Sequence, residues 1–409
     1  MSEPSVKNVT RPRVLVLAHT YPNAALPGHG LWVARLTHAA LPIAEPIVVS
    51  MIPWAPPGLP IPEWQRLRRV PAHDYSNGVV AHFPRVPGGL LHFTHSLDAR
   101  LALPAVLKLV RQLHAERPFH LIHAHFIYPE GVIATKIGRE LGIPVVITEH
   151  ANWTPWLDNE RRTRTQVIDA LPSIGVVTAV SEATRRTVRE VAGDSMRVEL
   201  LPNVLDEGAF VAAGLEPRIA GRILFVGIVR RVKGLDVLIR ALALLLESQP
   251  GVHLRVIGST LTRSGRRDEL AVRSLAATLG VADRIEFIGH LDPRDLSLEM
   301  RRAAVLAVPS RRESFSAVTM EALASGTPVV ATRCGGPEEL IDDSVGRLVP
   351  VDDPTAMAAA LGEVLLSPER FDPALLRAHV LPRFGISATT ERLARLYESV
   401  LPKQGCRIG

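Results

Sequence analysis

The chain has 409 residues, of which 47% are hydrophobic and 22% charged, and its formal net charge is +6. This composition excludes a mainly disordered or fibrous protein, and at about 150 residues per domain the length predicts two or three compact units. The apolar runs are far shorter than the roughly 18 residues that a bilayer-spanning helix needs, and the first residues are polar. Two cysteines, Cys334 and Cys406, are too few for a disulfide framework or a zinc site. We therefore expect a soluble, cytoplasmic, metal-poor protein.

The first half of the chain is more basic than the second. A basic half could face nucleic acid, anionic lipid or an anionic substrate. It could equally reflect an arginine-rich surface that is simply solvated. No nucleic-acid-binding module accompanies the charge, so we expect no nucleic-acid partner.

Short runs of Val, Ile and Leu alternate with helix-length amphipathic segments along the whole chain. In the first half the predicted strands are 13–18, 46–52, 78–83, 120–125, 144–148 and 174–180. In the second half they are 222–227, 253–258, 284–289, 304–309, 328–332 and 346–350. Predicted helices include 129–141, 181–192, 234–248, 267–279 and 354–366. Because these strands are apolar on both faces, we expect parallel sheets buried between helices.

The alternation predicts an α/β fold with two doubly wound parallel-sheet domains that face each other across a cleft. Proline and glycine cluster over 201–221, which predicts domains at 1–205 and 206–385. The remaining residues, 386–409, begin with an amphipathic helix. That helix either packs on the second domain or crosses back to the first, and the sequence leaves both open.

The segment from 309 to 339 contains the densest group of polar residues after a predicted strand. Glu313 lies in a loop, and a helix is predicted to start near Ala317 and to carry Glu321. Helical spacing would separate the two carboxylates by about 12 Å, which suits gripping two ends of one long ligand. The N-terminal end of this helix would also favour the binding of a phosphate group, because its backbone N–H groups and its positive dipole end face the ligand. The competing interpretation is that both are ordinary surface carboxylates.

A second group follows the strand that ends at Gly227. The loop after it carries Arg230, Arg231 and Lys233, and Gly234 then opens a helix. Cations at a strand-to-helix junction indicate an anion site, with a merely solvated loop as the alternative.

In the first half, Gly28 and Gly30 lie between the first strand and the first helix, where glycine lets the backbone approach a ligand closely. Glu149 and His150 end another strand, so their side chains could reach a cleft. His123 and His125 could share a strand face and hold a metal, but no acidic or cysteine partner accompanies them. The chain also has no Asp-x-Asp motif, so we expect no metal ion and no other cofactor.

Together these segments resemble the GT-B glycosyltransferases, specifically the retaining family 4. The similarity extends over nearly the whole chain, from TYPNAALPGHGLWV through HLIHAHFIYPEGVIA, VITEHANW and FVGIVRRVKGLDVLIRA to the Glu-x7-Glu pattern and GTPVVATRCGGPEELI. The resemblance implies two Rossmann-like domains. The first would bind a glycan, lipid-linked or small-molecule acceptor, and the second a nucleotide-diphospho-sugar.

The resemblance also implies roles for single residues. Glu321 would bind the ribose hydroxyls, and Glu313 would face the donor sugar. Lys233 would neutralise the diphosphate, and His150 would line the reacting centre from the acceptor side. The remaining implied residues are Gly227, Arg231, Ser314, Phe315 and Ser316 on the donor side and Gly28, Gly30 and Glu149 on the acceptor side.

The chain departs from the family pattern at three places. Ile228 stands where the family often has Arg, so Arg230 or Arg231 would supply the second cation. Ser314 and Ser316 replace two glycines of the family loop, and a third change lies at 258–260.

A GT-B-like epimerase and a non-catalytic nucleotide-sugar-binding protein remain alternatives. Peripheral contact with an anionic membrane through 51–70 and 100–114 is a further hypothesis, against ordinary packing.

Overall fold

The computed structural model describes residues 11–55, 57, 62–75, 78–87, 99–152, 160–211, 217–258 and 263–402. The chain divides into two compact units. Unit 1 contains the described residues up to Val204 together with those from Ser387 onward, and unit 2 contains Leu205–Ile386. The C-terminal helix therefore belongs with unit 1. Parts of 51–70 and the departure at Ser259 and Thr260 lie outside the described residues.

Unit 1 is built on an eight-stranded sheet in the order β10-β9-β8-β7-β1-β2-β5-β4. All neighbouring strands pair in parallel except β4 with β5. A separate parallel pair, β3 and β6, lies beside it. The strands are β1 Arg13–Ala18, β2 Glu45–Ser50, β3 Ile52–Pro53, β4 His73–Asp74, β5 Val80–His82, β6 Arg85–Val86, β7 Leu121–His125, β8 Val145–Glu149, β9 Val176–Ala179 and β10 Val198–Leu200.

Helices cover both faces of this sheet, as the apolar strands require. They are α1 Leu31–Ala39, α2 Pro62–Arg69, α3 Ala99–Glu116, α4 Val132–Leu141, α5 Arg161–Ala170, α6 Glu182–Ala192 and the C-terminal α13 Ile386–Val400. Leu15 and Leu17 of β1 pack into one core cluster, while Val14 and Val16 pack into the other. Leu393, Leu396 and Tyr397 of α13 join the second cluster.

Unit 2 has a six-stranded parallel sheet in the order β13-β12-β11-β14-β15-β16. Its strands are β11 Arg222–Val226, β12 His253–Ile257, β13 Ile285–Gly289, β14 Val305–Val308, β15 Val329–Thr332 and β16 Gly346–Val349. Its helices are α7 Leu235–Ser248, α8 Arg263–Thr278, α9 Pro293–Arg302, α10 Ala317–Ala324, α11 Pro354–Leu366 and α12 Pro373–Phe384. The carboxyl ends of parallel strands meet at one edge of each sheet, which is where ligands bind in such folds.

Candidate functional site

The clearest polar pair of unit 2 joins the loops after two neighbouring strands. The Nζ atom of Lys233 lies 2.7 Å from Oε1 of Glu313, and the Ser310 hydroxyl donates to the same oxygen at 2.7 Å. Only 10% of the Glu313 side chain and 27% of the Lys233 side chain are exposed. A carboxylate and an ammonium are thus held together at the edge where a ligand would bind.

The backbone fixes both residues. Lys233 ends a short 3-10 turn, and Gly234 follows it with φ 68°. A Cβ on Gly234 would lie 1.9 Å from the carbonyl oxygen of Pro309, so only glycine lets this turn approach the end of β14. Glu313 donates its backbone N–H to Cys334 O, and its carbonyl accepts from Gly336 N. The loops after β11, β14 and β15 therefore support one another.

The loop from Ser314 to Ser316 leads into α10, which begins at Ala317 as expected. Ser316 adopts φ 73°, a left-handed conformation that favours glycine. Its hydroxyl lies 2.8 Å from that of Thr319. Phe315 is buried and packs edge-on against Phe384, with ring centroids 5.5 Å apart. Ser316 thus keeps a backbone conformation that favours glycine, whereas Ser314 does not have a positive φ.

Glu321 lies on α10 and is partly buried, whereas Glu313 lies in the loop before that helix. The two carboxylates are therefore not related by helical spacing.

Gly227 follows β11 and donates its N–H to Ile257 O at 2.9 Å. Arg230 and Arg231 are exposed, and Ile228 is 45% exposed. The N–H of Arg231 donates to Asp268.

No sequence pattern places Cys334 beside the Lys233–Glu313 pair, but its backbone carbonyl accepts a hydrogen bond from the backbone N–H of Glu313. Burial, supported by the Glu313 charge and opposed by the Thr332 hydroxyl and Lys233, raises the pKa of its thiol to about 11. The thiol is therefore protonated at neutral pH.

In unit 1, the ring of His150 lies against that of His125. Its Nε2 atom lies 3.0 Å from Nδ1 of His125, and the two rings stack at 5.2 Å. Burial lowers the pKa of His150 to about 3, with the nearby His123 acting in the same direction. The ring is therefore neutral at pH 7.

Glu149 is 1% exposed, and its oxygens accept hydrogen bonds from the backbone N–H groups of Ile127, His150 and Ala151. Its observed contacts shape the loop that carries His150.

Both ring nitrogens of His123 are engaged. Nδ1 lies 2.8 Å from the Tyr397 hydroxyl and Nε2 lies 2.7 Å from that of Thr148. This arrangement connects α13 to β7 and β8 and leaves no nitrogen of His123 for a metal.

Sequence reasoning missed the pair formed by His19 and Glu130. The Nδ1 atom of His19, just after β1, lies 2.7 Å from Oε1 of Glu130, whose side chain is completely buried. Burial alone would lower the pKa of His19, but the charge and hydrogen bond of Glu130 outweigh it, and the pKa is raised. The signal in the sequence was a single charged residue, Glu130, within the otherwise largely apolar segment FIYPEGVIA.

The two glycines of the first loop, Gly28 and Gly30, differ in the space that surrounds them. Gly30 has φ 73°, and a Cβ there would lie 2.5 Å from the carbonyl oxygen of Thr20. Gly28 has open space around it. Only Gly30 is sterically required.

A cavity of about 380 Å³ opens in unit 1 between the starts of α3 and α5. Arg100, Arg161 and Arg162 line it together with Tyr128, Glu160, Thr163 and Gln166. Three guanidinium groups against one carboxylate favour an anionic ligand.

Within the described ranges, His, Cys, Asp and Glu side chains form no cluster of three or more that could bind a metal ion. No helix among those same residues has the length and hydropathy needed to cross a membrane.

Two family models match the chain. The model for glycosyl transferases group 1 matches residues 216–373, and that for glycosyltransferase family 4 matches 67–208. The D-inositol 3-phosphate glycosyltransferase of Saccharomonospora viridis is 32% identical over 69% of this chain and 70% of that protein. The protein of the same name from Segniliparus rotundus is 32% identical over 69% of this chain. That match spans 66% of the S. rotundus protein, just under two thirds of its length.

Solved structures show the same fold. Sucrose-phosphate synthase from Thermosynechococcus elongatus has a TM-score of 0.75 at 22% identity, covering 95% of this chain and 98% of that one. Anabaena HepE in complex with UDP-glucose has a TM-score of 0.72 at 18% identity, covering 95% and 100%. The two parallel-sheet units are thus those of a GT-B fold. The chain belongs to the glycosyl transferases of group 1, family 4.

Proposed function

We propose that the protein transfers a sugar from a nucleoside-diphosphate sugar to an acceptor, retaining the anomeric configuration and using no metal ion. The observation that carries this proposal is the Lys233–Glu313 pair at the carboxyl edge of the unit 2 sheet. An ammonium beside a carboxylate can bind the diphosphate and a sugar hydroxyl of one donor.

In this proposal Lys233 stabilises the diphosphate as the bond between the sugar and phosphate breaks and negative charge develops on the leaving oxygen. Glu321 binds the ribose hydroxyls. Glu313 and the backbone of the 314–316 loop face the sugar. The acceptor hydroxyl attacks the sugar carbon from the face that the leaving group vacates, and a leaving phosphate oxygen takes its proton, so no enzyme nucleophile is needed.

His150 is assigned to the acceptor side of the reacting centre. Its lowered pKa supports a neutral imidazole that orients substrate by hydrogen bonds. His125 contacts that ring, Glu149 accepts a hydrogen bond from the His150 backbone N–H, and Gly30 shapes the loop before α1.

A UDP-sugar is the first donor to examine, because the Anabaena structure of the same fold contains UDP-glucose.

For the acceptor we propose a small polyol or glycan that bears an anionic group. The arginine-lined cavity of unit 1 supports this choice, and the named relatives act on D-inositol 3-phosphate. Lipid-linked acceptors fit the same chemistry.

We also propose a cytoplasmic location with peripheral contact to an anionic membrane. Helix α3 buries Ala102, Val106 and Val110, while Leu101 and Lys108 are exposed. An exposed apolar side chain beside cations suits a lipid surface. In a sedimentation assay at low salt, vesicles of phosphatidylglycerol should carry down the protein. No binding would remove this part of the proposal.

The test of the central proposal is product formation. UDP-, GDP- and ADP-glucose are incubated in turn with D-inositol 3-phosphate, and both the released diphosphate and the configuration of the new bond are measured. An α-linked product that still forms in EDTA is expected. An inverted product would overturn retention, and loss of activity in EDTA that Mg²⁺ restores would overturn metal independence. A changed sugar without acceptor would indicate an epimerase, and binding without turnover a nucleotide-sugar-binding protein.

A further inference from the structure

Arg311, in the loop after β14, makes side-chain and backbone hydrogen bonds to several residues at the carboxyl edge of the unit 2 sheet. Its two terminal nitrogens donate to both carboxylate oxygens of Asp236, at 2.9 and 2.8 Å. One of them also donates to the backbone carbonyl of Arg231. The other lies 2.7 Å from the carboxylate of Asp352. The Arg311 backbone N–H donates to Val232 O at 2.8 Å.

These contacts connect three loops that follow β11, β14 and β16. The contacted carbonyl groups belong to the 231–233 turn that carries Lys233, and Asp236 lies in the first turn of α7 just behind it. Arg311 itself lies two residues before Glu313. Arg311 therefore links the turn that carries Lys233 to the loop that carries Glu313.

An isolated surface ion pair contributes little to stability, but Arg311 differs from one in its geometry. Only 22% of its side chain is exposed, and its planar group bonds two carboxylates and a carbonyl at once. Those hydrogen bonds raise the pKa of Arg311, so it stays charged. A lysine side chain ends in a single ammonium nitrogen, so it cannot bond both carboxylates and the carbonyl in the planar arrangement that the guanidinium group provides.

We propose that Arg311 is a positioning residue, which holds the Lys233 turn where the ammonium meets the diphosphate of the donor. The proposal rests on the proposed function, because it requires that Lys233 bind a diphosphate. Arg311 itself need not touch the donor.

The first experiment measures binding by isothermal titration calorimetry. UDP, GDP and ADP are titrated into wild type to find the diphosphate that binds, and then that diphosphate and its nucleoside are titrated into Arg311→Ala and Arg311→Lys. Both variants should bind the diphosphate about tenfold more weakly and the nucleoside as wild type does. Arg312→Ala is the matched control, since Arg312 is an exposed neighbour of the same charge. It should bind both ligands normally.

The second experiment is a double-mutant cycle with Lys233→Ala. If Arg311 acts through Lys233, then Arg311→Ala should cause no further loss of diphosphate affinity in the Lys233→Ala background. Additive losses would overturn the proposal, and so would normal diphosphate binding by Arg311→Ala. Equal loss of nucleoside affinity would show that the whole unit is disturbed and would also overturn it. If none of the three diphosphates binds wild type, the proposed function fails first and this inference with it.

Discussion

Lys233 and Glu313 are separated by 80 positions in the chain, yet their side chains form a 2.7 Å ion pair. They meet because β11 and β14 are parallel neighbours, so the loops after both strands lie at the same edge. Lys233 stays partly exposed, while Glu313 is nearly buried. Lys233 is thus the more accessible member of the pair.

Replacement of Lys233 by alanine should weaken binding of the donor diphosphate by about tenfold or more, because a charge-assisted contact to phosphate is lost. It should also lower the free energy of unfolding by about 1–2 kcal/mol, because the mostly buried Glu313 loses a partner and keeps Ser310. Calorimetric titration and urea denaturation measure the two effects. Lys108→Ala, at an exposed position in unit 1, is the control. Unchanged diphosphate affinity in Lys233→Ala would contradict the assignment.

The His19–Glu130 pair predicts a specific pH dependence. Because the folded-state pKa of His19 is raised above 6.5, its contribution to stability is complete at pH values below 6.5. That contribution is lost as the pH rises through the folded-state pKa. In Glu130→Gln, the His19 titration followed by NMR should move to lower pH. The stability difference from wild type should shrink above pH 6.5.

Glu140→Gln is the matched control for that substitution, since Glu140 is an exposed glutamate on α4. It should leave the His19 titration unchanged. An unmoved His19 pKa in Glu130→Gln would show that the carboxylate does not govern this histidine.

The first loop offers a comparison of two glycines. Gly30→Ala should lower the free energy of unfolding by roughly 1–3 kcal/mol, because the new methyl group would meet Thr20 O and the φ of 73° disfavours any side chain. Gly28→Ala should change it by less than about 0.5 kcal/mol, since its surroundings are open. Chemical denaturation of both variants is the measurement. Equal effects would contradict the described loop geometry.

Tyr397 connects the C-terminal helix α13 to His123 of strand β7. Tyr397→Phe removes a buried hydroxyl and leaves Nδ1 of His123 without its partner, so it should cost about 1–3 kcal/mol of stability. Tyr75→Phe, at a residue that is 68% exposed, should be neutral. A neutral Tyr397→Phe in the same denaturation assay would show that the Tyr397–His123 hydrogen bond does not contribute to holding α13.

The sequence was sufficient for the longer strands in chain order and for naming Lys233, Glu313 and Glu321 as candidates, because those patterns lie in short local segments. It did not predict strands β4, β6 and β10, which have only two or three residues each and are too short to show a strand pattern. The His19–Glu130 pair, by contrast, depends on β7 lying beside β1, and spatial strand order cannot be read from local patterns. Arg311 was missed because arginine is common in this chain. Its importance comes from partners in loops that are distant in sequence.

The measurement that tests the central claim most directly is calorimetric titration of UDP, GDP and ADP into wild type and Glu321→Ala. We predict that one diphosphate binds wild type, and that its affinity falls about tenfold in the variant because the ribose hydroxyls lose a carboxylate partner. Equal affinity in both proteins would contradict the proposed donor site in unit 2. Failure of all three to bind wild type would contradict the assignment of a nucleoside-diphosphate donor.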